Sequence, residues 1–309
     1  MPDFVHQPVM LAETLAALEP KPEGRYVDGT LGGGGHAAAI LRASAPSGWL
    51  YGCDCDDAAI SAASSRLSEF AGRFELRRAN YSALAEWVPA GSCDGVLLDL
   101  GVSSPQLDRP ERGFSFLRDG PLDMRLDQRT PRTAADLINE APVEALAQIF
   151  WEFGQERSAR KLARVVGSAR RLRRLETTRQ LADVIEQAEP RRGRKIHPAT
   201  QVFQALRIAV NEELDVLERG LAAAWTILRP GGRMVVLTFH SLEDRVVKRF
   251  GRTRALDYDY SGPVDVPELR RPRPPLLAWV VRGALGAGPA EIAANPRARS
   301  AHLRAMMKL

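Results

Sequence analysis

Four consecutive glycines, Gly32 to Gly35, stand between an aspartate and a histidine in the stretch RYVDGTLGGGGHAAAI. The pattern before them predicts a short strand, and the pattern after them predicts a helix. Ligands of open parallel sheets bind at the carboxyl ends of the strands, and glycine lets the backbone come close to a ligand. A helix start adds free N–H groups and a partial positive charge. The stretch therefore predicts a nucleotide-type binding loop rather than a flexible linker.

The residues around this loop narrow the choice of ligand. The Gly-Lys-Ser/Thr of a triphosphate loop is absent, whereas Gly33, Gly35 and Ala38 formally satisfy the G-x-G-x-x-A pattern of dinucleotide sites. Asp28 would repel a pyrophosphate, but it suits the ammonium and sulfonium groups of S-adenosylmethionine. Asp54 ends the second predicted strand, where an acid accepts hydrogen bonds from ribose hydroxyls in NAD and S-adenosylmethionine alike. Either aspartate could instead cap a helix or form a turn.

Two further positions follow the third and fourth predicted strands. Tyr81 could stack on an adenine or belong to the core. Asp99 ends the fourth strand, and the loop SSPQ, Ser103 to Gln106, comes after it. In a methyltransferase such a loop faces the transferred methyl group, and an exocyclic amine needs only correct presentation and acceptors for its protons. Carbon methylation of cytosine would need a cysteine nucleophile. No cysteine follows the fourth or a later strand, so nitrogen or oxygen is the expected acceptor.

A second polar cluster lies in TFHSLEDRVVKRF, after a late core strand. His240 could orient a substrate or accept a proton. It could also merely pack, with Ser241 capping the following helix and Asp244 acting as its capping-box partner. The candidates for the group that takes the amine proton are Asp99, Ser104 and His240.

Composition describes an ordinary globular chain with unevenly distributed charge. The 309 residues carry a net charge of +5, and 45% are hydrophobic. No apolar run is long enough to cross a bilayer, no secretory signal is recognisable, and three cysteines suit a reducing compartment, so a cytoplasmic protein is expected. The five histidines form no cluster with ligand spacing, and no metal is expected. Thirteen Lys or Arg but only five Asp or Glu lie between residues 155 and 195, which indicates a polyanionic partner or a solvated helix face.

Strand and helix patterns alternate over the first hundred residues and return near the C-terminus, which predicts an α/β fold with a parallel sheet. Between these parts lie a long loop and a series of helices. Interleaved apolar residues argue that the loop is ordered; they are Phe114, Phe116, Leu122 and Met124. The prediction is a discontinuous sheet domain, residues 1–104 and 214–309, with a mostly helical insertion of residues 105–213.

Local signals also predict where several elements begin and end. Thr133 and either Thr177 or Thr178 are predicted helix N-caps. A long helical region beginning at His197 is predicted to break near Gly220. The C-terminal segments LLAWVVRG and SAHLRAMMKL are predicted strands.

Six segments together resemble one known family: HQPVM, VDGTLGGGGHAAAIL, DGVLLDLGVSSPQLDRPERGFSFLRDGPLDMRLD, HPATQVFQALRIAVNEEL, RPGGRMVVLTFHSLEDRVVKRF and NPRARSAHLR. They are similar to the bacterial methyltransferases that modify N4 of a cytosine in 16S ribosomal RNA. The resemblance covers almost the whole chain, except the region near residues 251–275. The fourth-strand motif is too long for a chance match.

The resemblance implies a class I (Rossmann-like) S-adenosylmethionine-dependent methyltransferase with a helical insertion. It implies that the target is the decoding-centre cytosine 1402 and that the substrate is the assembled 30S subunit; whether the protein is a homodimer is left open. The family often has Ser where this chain has Ala37, so a hydroxyl contact is not expected there. Carried over by motif, the cofactor contacts are Gly34, Gly35, His36, Asp54, Tyr81, Asp99 and Gln106.

If the substrate is RNA, the helical insertion is expected to position it. Arg157, Arg160, Lys161 and Arg164 have the spacing of one helix face. Such a face can neutralise phosphates without reading sequence. The target cytosine must be unstacked to reach a methyl donor, and the aromatic residues of GFSF could help to hold it.

Two other hypotheses compete with this one. An NAD-dependent oxidoreductase would need a second mononucleotide half, and the sequence contains no sign of one. A non-catalytic S-adenosylmethionine-binding ribosome assembly factor would have lost turnover, and the intact glycine loop, Asp54 and Asp99 argue against it.

Overall fold

The computed structural model describes residues 8–190, 197–260 and 264–309. The chain divides into two compact units. The first unit runs to Gly101 and resumes at Asp215, and the second is Val102–Leu214. The predicted insertion spanned residues 105–213. Each unit has its own apolar core.

The N-terminal part of the first unit alternates helices and strands, as an α/β chain should. Residues Leu67–Phe70 and Tyr81–Glu86 form short 3₁₀ turns. The elements of this part are α1 (Leu11–Leu18), β1 (Arg25–Asp28), α2 (Gly35–Ala43), β2 (Trp49–Asp54), α3 (Asp57–Arg66), β3 (Phe74–Arg78) and β4 (Cys93–Asp99). The four strands predicted in this region are confirmed.

The second unit is helical. Its long loop, residues 102–133, is ordered as predicted, because Phe114, Leu122 and Met124 lie in the core of the unit and Phe116 packs against that core. The helices are α4 (Ser104–Asp108), α5 (Ala134–Glu140), α6 (Val143–Glu152), α7 (Ala159–Leu172), α8 (Thr178–Ala188), α9 (Ala199–Asn211) and α10 (Glu213–Ile227), the last of which continues into the first unit.

Side-chain caps set two of these helix starts. The Thr133 hydroxyl accepts a hydrogen bond from Asp136 N at 3.1 Å, and the Thr177 hydroxyl accepts one from Gln180 N at 3.4 Å. Both belong to capping boxes, which satisfy N–H groups that a helix start leaves without partners. The predicted caps are confirmed, with Thr177 as the cap of α8.

The predicted helix break near Gly220 is wrong. The break lies at Glu212, which has φ +49°, and Gly220 is a buried residue inside α10. A Cβ at Gly220 would overlap the ring of Tyr81. This glycine therefore makes room for a neighbouring side chain rather than ending the helix.

The C-terminal part of the first unit completes the sheet. The strands predicted in LLAWVVRG and SAHLRAMMKL are confirmed, as Leu277–Trp279 and His302–Lys308. Residues Pro267–Leu269 and Pro296–Ser300 form 3₁₀ turns. The elements are β5 (Leu228–Thr238), α11 (Ser241–Ala255), β6 (Tyr258–Tyr260), β7 (Arg270–Pro272), β8 (Leu277–Trp279), β9 (Leu285–Gly286), α12 (Pro289–Ala294) and β10 (His302–Lys308).

One sheet dominates the first unit, in the order β3-β2-β1-β4-β5-β10-β8, with β9 also paired to β10. The strands β1 to β5 are parallel, and β10 is antiparallel to β5 and β8. Strand β4 is buried along most of its length, as its VLLDL run predicts. The strand order reverses between β1 and β4, which is the position where open α/β sheets bind ligands. The predicted α/β class is confirmed.

None of the helices in the described residues is long and apolar enough to cross a membrane.

Candidate functional site

The turn after β1 is tied to the end of β4. Asp28 is buried, and its Oδ1 accepts a hydrogen bond from Thr30 N at 3.2 Å. The Thr30 hydroxyl in turn accepts a hydrogen bond from Asp99 N at 2.6 Å. Because β1 and β4 are neighbours, these contacts join two segments that are far apart in sequence. Thr30 was missed by the sequence analysis, although a hydroxyl next to a glycine loop is a signal for such a tie.

The four glycines serve two different purposes. A Cβ on Gly33 would meet nothing within 4 Å, so this side of the loop is open to an approaching molecule. Gly34 has φ +73° and lies close to Ala63 of α3, and a Cβ on Gly35 would overlap Pro8. The candidate residues Gly34 and Gly35 are thus needed for chain direction and packing. Gly34 also has no side chain to cap α2, which leaves the first N–H groups of that helix without a side-chain partner.

His36 and Asp99 face each other at the edge of the sheet. His36 Nε2 lies 3.6 Å from Asp99 Oδ2, and the histidine is only 6% exposed. Within the described residues, both ring nitrogens of His36 and Oδ1 of Asp99 are buried and make no hydrogen bond. Buried polar atoms without partners are costly. The two side chains therefore define a polar position that a ligand can satisfy.

The carboxylates of Asp28 and Asp99 act on this histidine, and Asp54 acts on Asp28. Burial raises the pKa of Asp28 to about 6, although His36 and the N–H of Thr30 oppose the shift. Burial alone would lower the pKa of His36, but the Asp99 carboxylate and the charge of Asp28 outweigh it, so that pKa is raised. Burial also raises the pKa of Asp54. The cluster is an anionic environment around one imidazole, which suits a cationic ligand.

Asp54 is placed at the end of β2, as predicted, and it binds the glycine loop directly. Its Oδ2 accepts a hydrogen bond from Gly32 N, and its Oδ1 accepts one from Asp56 N, both at 2.9 Å. A carboxylate has about four acceptor positions. Further positions therefore remain for hydroxyl donors while the loop is held.

Tyr81 lies in the turn after β3. Its ring packs against Gly220 of α10 and lies beside Gly29, the residue that follows β1. The residue is half-buried. These contacts agree with one of the two roles that the sequence left open for Tyr81, that of a core residue.

His240 is the N-cap of α11, with Glu243 as its capping-box partner, so the alternative of a Ser241–Asp244 capping box is wrong by one residue. His240 Nδ1 accepts a hydrogen bond from Glu243 N at 3.4 Å, and Glu243 Oε2 accepts from Phe239 N at 2.8 Å and from His240 N at 3.3 Å. Asp244 instead forms an ion pair with Arg304 at 2.6 Å. Nε2 lies 3.2 Å from Glu243 Oε1 but makes no hydrogen bond within the described residues.

Two predicted site residues belong to the second unit. Gln106 is buried, and its Oε1 accepts a hydrogen bond from Ser103 N at 3.0 Å in the capping box of α4. The side chain of Ser104 lies outside the described part of the structure. The GFSF aromatics are used in packing: Phe114 is buried, and the Phe116 ring centre lies 4.6 Å from His197 and 4.8 Å from Phe203.

The predicted basic face lies at the start of α7. Arg157 precedes the helix, Arg160, Lys161 and Arg164 lie in its first two turns, and all four are exposed. Lys161 Nζ donates to Ala188 O at 2.7 Å. Within the described residues none of the four has a carboxylate within 4.0 Å. By contrast, Arg170 on the same helix is occupied, because it donates to backbone carbonyls of the α5 region.

The residues at the carboxyl edge of the sheet fit S-adenosylmethionine. The loop is open at Gly33, Asp54 has acceptor capacity left, and His36 and Asp99 have buried polar atoms without partners. A parallel sheet in this order, continued by an antiparallel strand, is the arrangement of class I (Rossmann-like) S-adenosylmethionine-dependent methyltransferases, and this protein is one of them. The antiparallel β10 stands at the position where an NAD enzyme would have the last parallel strand of its second mononucleotide half, which argues against the oxidoreductase hypothesis.

Comparisons with known proteins narrow the class to one family. The profile of the MraW methylase family matches residues 3–309. Proteins called Ribosomal RNA small subunit methyltransferase H are similar along nearly their whole length. The one from Symbiobacterium thermophilum is 49% identical over 99% of this chain and 97% of its own. The one from Geobacter sulfurreducens is 50% identical over 99% of each chain. This chain therefore belongs to the MraW methylase family, as its motifs predicted.

Proposed function

We propose that this protein transfers the methyl group of S-adenosylmethionine to N4 of cytosine 1402 in the decoding centre of 16S ribosomal RNA. The observation that carries the proposal is the match, over nearly the whole chain, to relatives named as small-subunit ribosomal RNA methyltransferases. The anionic cluster at the switch point of the sheet supports it, because that cluster suits a cationic methyl donor. The ribosomal substrate supports a cytoplasmic location.

The glycine loop and the acids around it would hold the cofactor. The backbone of Gly34, Gly35 and His36 at the start of α2 offers N–H groups, and Asp54 offers acceptors for hydroxyls. The half-buried Tyr81 and the buried Gln106 remain predicted contacts. When bound, S-adenosylmethionine supplies an electrophilic methyl group on a sulfonium. No covalent bond to the protein is required for attack by an amine.

We propose that Asp99, of the three candidates, accepts a hydrogen bond from the reacting amine. Its Oδ1 is buried and has no partner among the described residues, and it lies beside His36. An acceptor placed there orients the amine and receives its proton as the new N–C bond forms. The Nδ1 lone pair of His240 accepts the Glu243 N–H in the cap of α11, so a positioning role suits this histidine better.

The second unit would position the RNA. Arg157 and the exposed cations in the first two turns of α7 have no acidic partners among the described residues, and they can neutralise phosphates. Such contacts set the register of the RNA without reading its sequence. They also suit a substrate whose shape is set by an assembled 30S subunit.

The test is methyl transfer from labelled S-adenosylmethionine to unmethylated 30S subunits, with naked 16S RNA in parallel and mass spectrometry of the nucleosides. The expected product is N4-methylated cytidine at position 1402, formed on the 30S subunit. Label on a different nucleoside would overturn the assigned acceptor. Cofactor binding with no label on either RNA would overturn the enzyme assignment in favour of a non-catalytic assembly factor.

A further inference from the structure

Helix α11 of the first unit carries a second row of cations. Arg245, Lys248, Arg249 and Arg252 stand at i, i+3, i+4 and i+7, the same spacing as the predicted face of α7. All four are exposed, while the opposite side of the helix is buried. We call these four residues the α11 basic face.

The two acidic residues at the start of α11 do not neutralise this face. Glu243 is buried and accepts hydrogen bonds from the backbone at the helix start. Asp244 is paired with Arg304 of β10 through two hydrogen bonds, of 2.6 and 2.9 Å. That ion pair lowers the pKa of Asp244, and the Arg304 charge offsets that of the carboxylate. The exposed side of the helix therefore presents cations only.

Most of the α11 basic face is also free of ion pairs. Arg249 is paired with Glu218 of α10. Within the described ranges, Arg245, Lys248 and Arg252 have no carboxylate within 4.0 Å. The nearby Asp265 is held by Arg270 and by the Tyr258 hydroxyl, both at 2.7 Å. Lys248 and Arg252 act on Asp244 and Asp265 only through longer-range charge interactions. Three exposed cations without a carboxylate in contact are available to an external polyanion.

The position of the helix links this face to the chemistry. Helix α11 starts directly after β5, and β5 is the parallel neighbour of β4, with Leu237 paired to Asp99. The basic face thus begins one turn from the carboxyl edge that carries the candidate site. An RNA strand held along α11 would be led toward that edge.

We propose that the α11 basic face binds backbone phosphates of the RNA substrate, as a contact on the sheet unit in addition to the one on α7. The inference rests on the proposed function, because it takes RNA as the substrate. The contact is electrostatic and independent of base sequence. It supplies the sheet unit with its own hold on the RNA near the methyl acceptor.

The test compares two double variants that remove the same kinds of charge. Lys248→Gln/Arg252→Gln removes two cations of the face. Lys21→Gln/Arg25→Gln removes an exposed lysine and an exposed arginine at the amino end of β1, the opposite edge of the sheet. Binding of 16S RNA is measured over a range of salt concentrations, and S-adenosylmethionine affinity is measured as a check of folding.

In the α11 variant, the negative slope of log K against log salt is expected to become less steep by about 1.5. Binding at low salt is expected to weaken by roughly tenfold. The control variant is expected to leave both unchanged, and both variants keep wild-type cofactor affinity. An unchanged slope in the α11 variant, with wild-type protein binding RNA normally, would overturn this inference alone. Wild-type protein that binds neither 16S RNA nor 30S subunits would overturn the proposed function as well.

Discussion

His36 Nε2 lies 3.6 Å from Asp99 Oδ2, and neither residue has satisfied all its buried polar atoms within the described chain. His36 is at the start of α2, and Asp99 is the last residue of β4. The Thr30 hydroxyl keeps the two segments together by accepting the N–H of Asp99. This pair is the part of the cluster best placed to act on a ligand, since it combines a raised-pKa imidazole with a free acceptor.

Replacing Asp99 with Asn is expected to lower the pKa of His36 and to reduce methyl transfer by a factor of about 100 or more. The reason is that Asp99 supplies the charge that raises the pKa of His36. The histidine is followed by NMR titration and the activity by labelled methyl transfer. Asp94→Asn is the matched control, because Asp94 lies at the other end of β4 and pairs with Arg229. Equal behaviour of the two variants would contradict the assignment.

Replacing Asp28 with Asn is expected to change how stability depends on pH. The folded protein holds the Asp28 proton up to about pH 6, whereas the unfolded chain releases it near pH 3.8. Between these values the folded state binds more protons, so the contribution of Asp28 to stability falls as pH rises through this window. The free energy of unfolding is measured in urea at pH 4.5 and 7.5 for both proteins. Relative to wild type, that of Asp28→Asn should be about 2 kcal/mol higher at pH 7.5 than it is at pH 4.5. A difference that is constant with pH would refute the raised pKa.

Replacing Arg170 with Gln is expected to destabilise the second unit by about 2 to 3 kcal/mol. Its guanidinium donates to Ile138 O at 2.6 Å and to Ala141 O at 2.7 Å, and these carbonyls lie at the end of α5, where the helix offers no partner. The neighbouring Arg171 is exposed, so Arg171→Gln is the control, with an expected effect within about 0.5 kcal/mol. The measurement is the free energy of unfolding from urea titration. Similar losses in both variants would show that net charge, and not the cap, matters.

Replacing Gly220 with Ala is expected to destabilise the protein, although Ala favours a helix interior over Gly by about 1 kcal/mol. The added Cβ would overlap the Tyr81 ring. A double-mutant cycle with Tyr81→Ala tests the cause, because removing the ring should make Gly220→Ala neutral or stabilising. Additive losses in the double variant would place the strain elsewhere. The free energy of unfolding is the quantity compared.

Local features of the chain were predictable from sequence. Periodicity and chemistry within a few residues predicted the strand, glycine loop and helix of residues 25–40. The same local signals predicted the acids that end β1, β2 and β4 and the caps Thr133 and Thr177. The resemblance over almost the whole chain identified the family for the same reason, because a sequence motif consists of residues that are adjacent in the chain.

The predictions that failed depended on distant contacts. A glycine inside a helical pattern looks like a break, but Gly220 accommodates a ring from the turn after β3, and the chain breaks at Glu212 instead. Ser241 is a good cap by type. His240 takes that role because Glu243, one helical turn on, binds the backbone N–H groups of Phe239 and His240.

The sequence by itself determined that the chemistry is methyl transfer from S-adenosylmethionine. The residue types and the order of the strands along the chain carry that information, and both can be read without knowing any distant contact. Only the tertiary structure decided which of those residues meet. The reversal of strand order between β1 and β4 brings Asp28, His36 and Asp99 together, because parallel strands share one carboxyl edge. The α11 basic face went unnoticed for a related reason. Glu243 and Asp244 offset half of its four positive charges in a linear count, and only the fold shows that one is buried and the other is paired with Arg304.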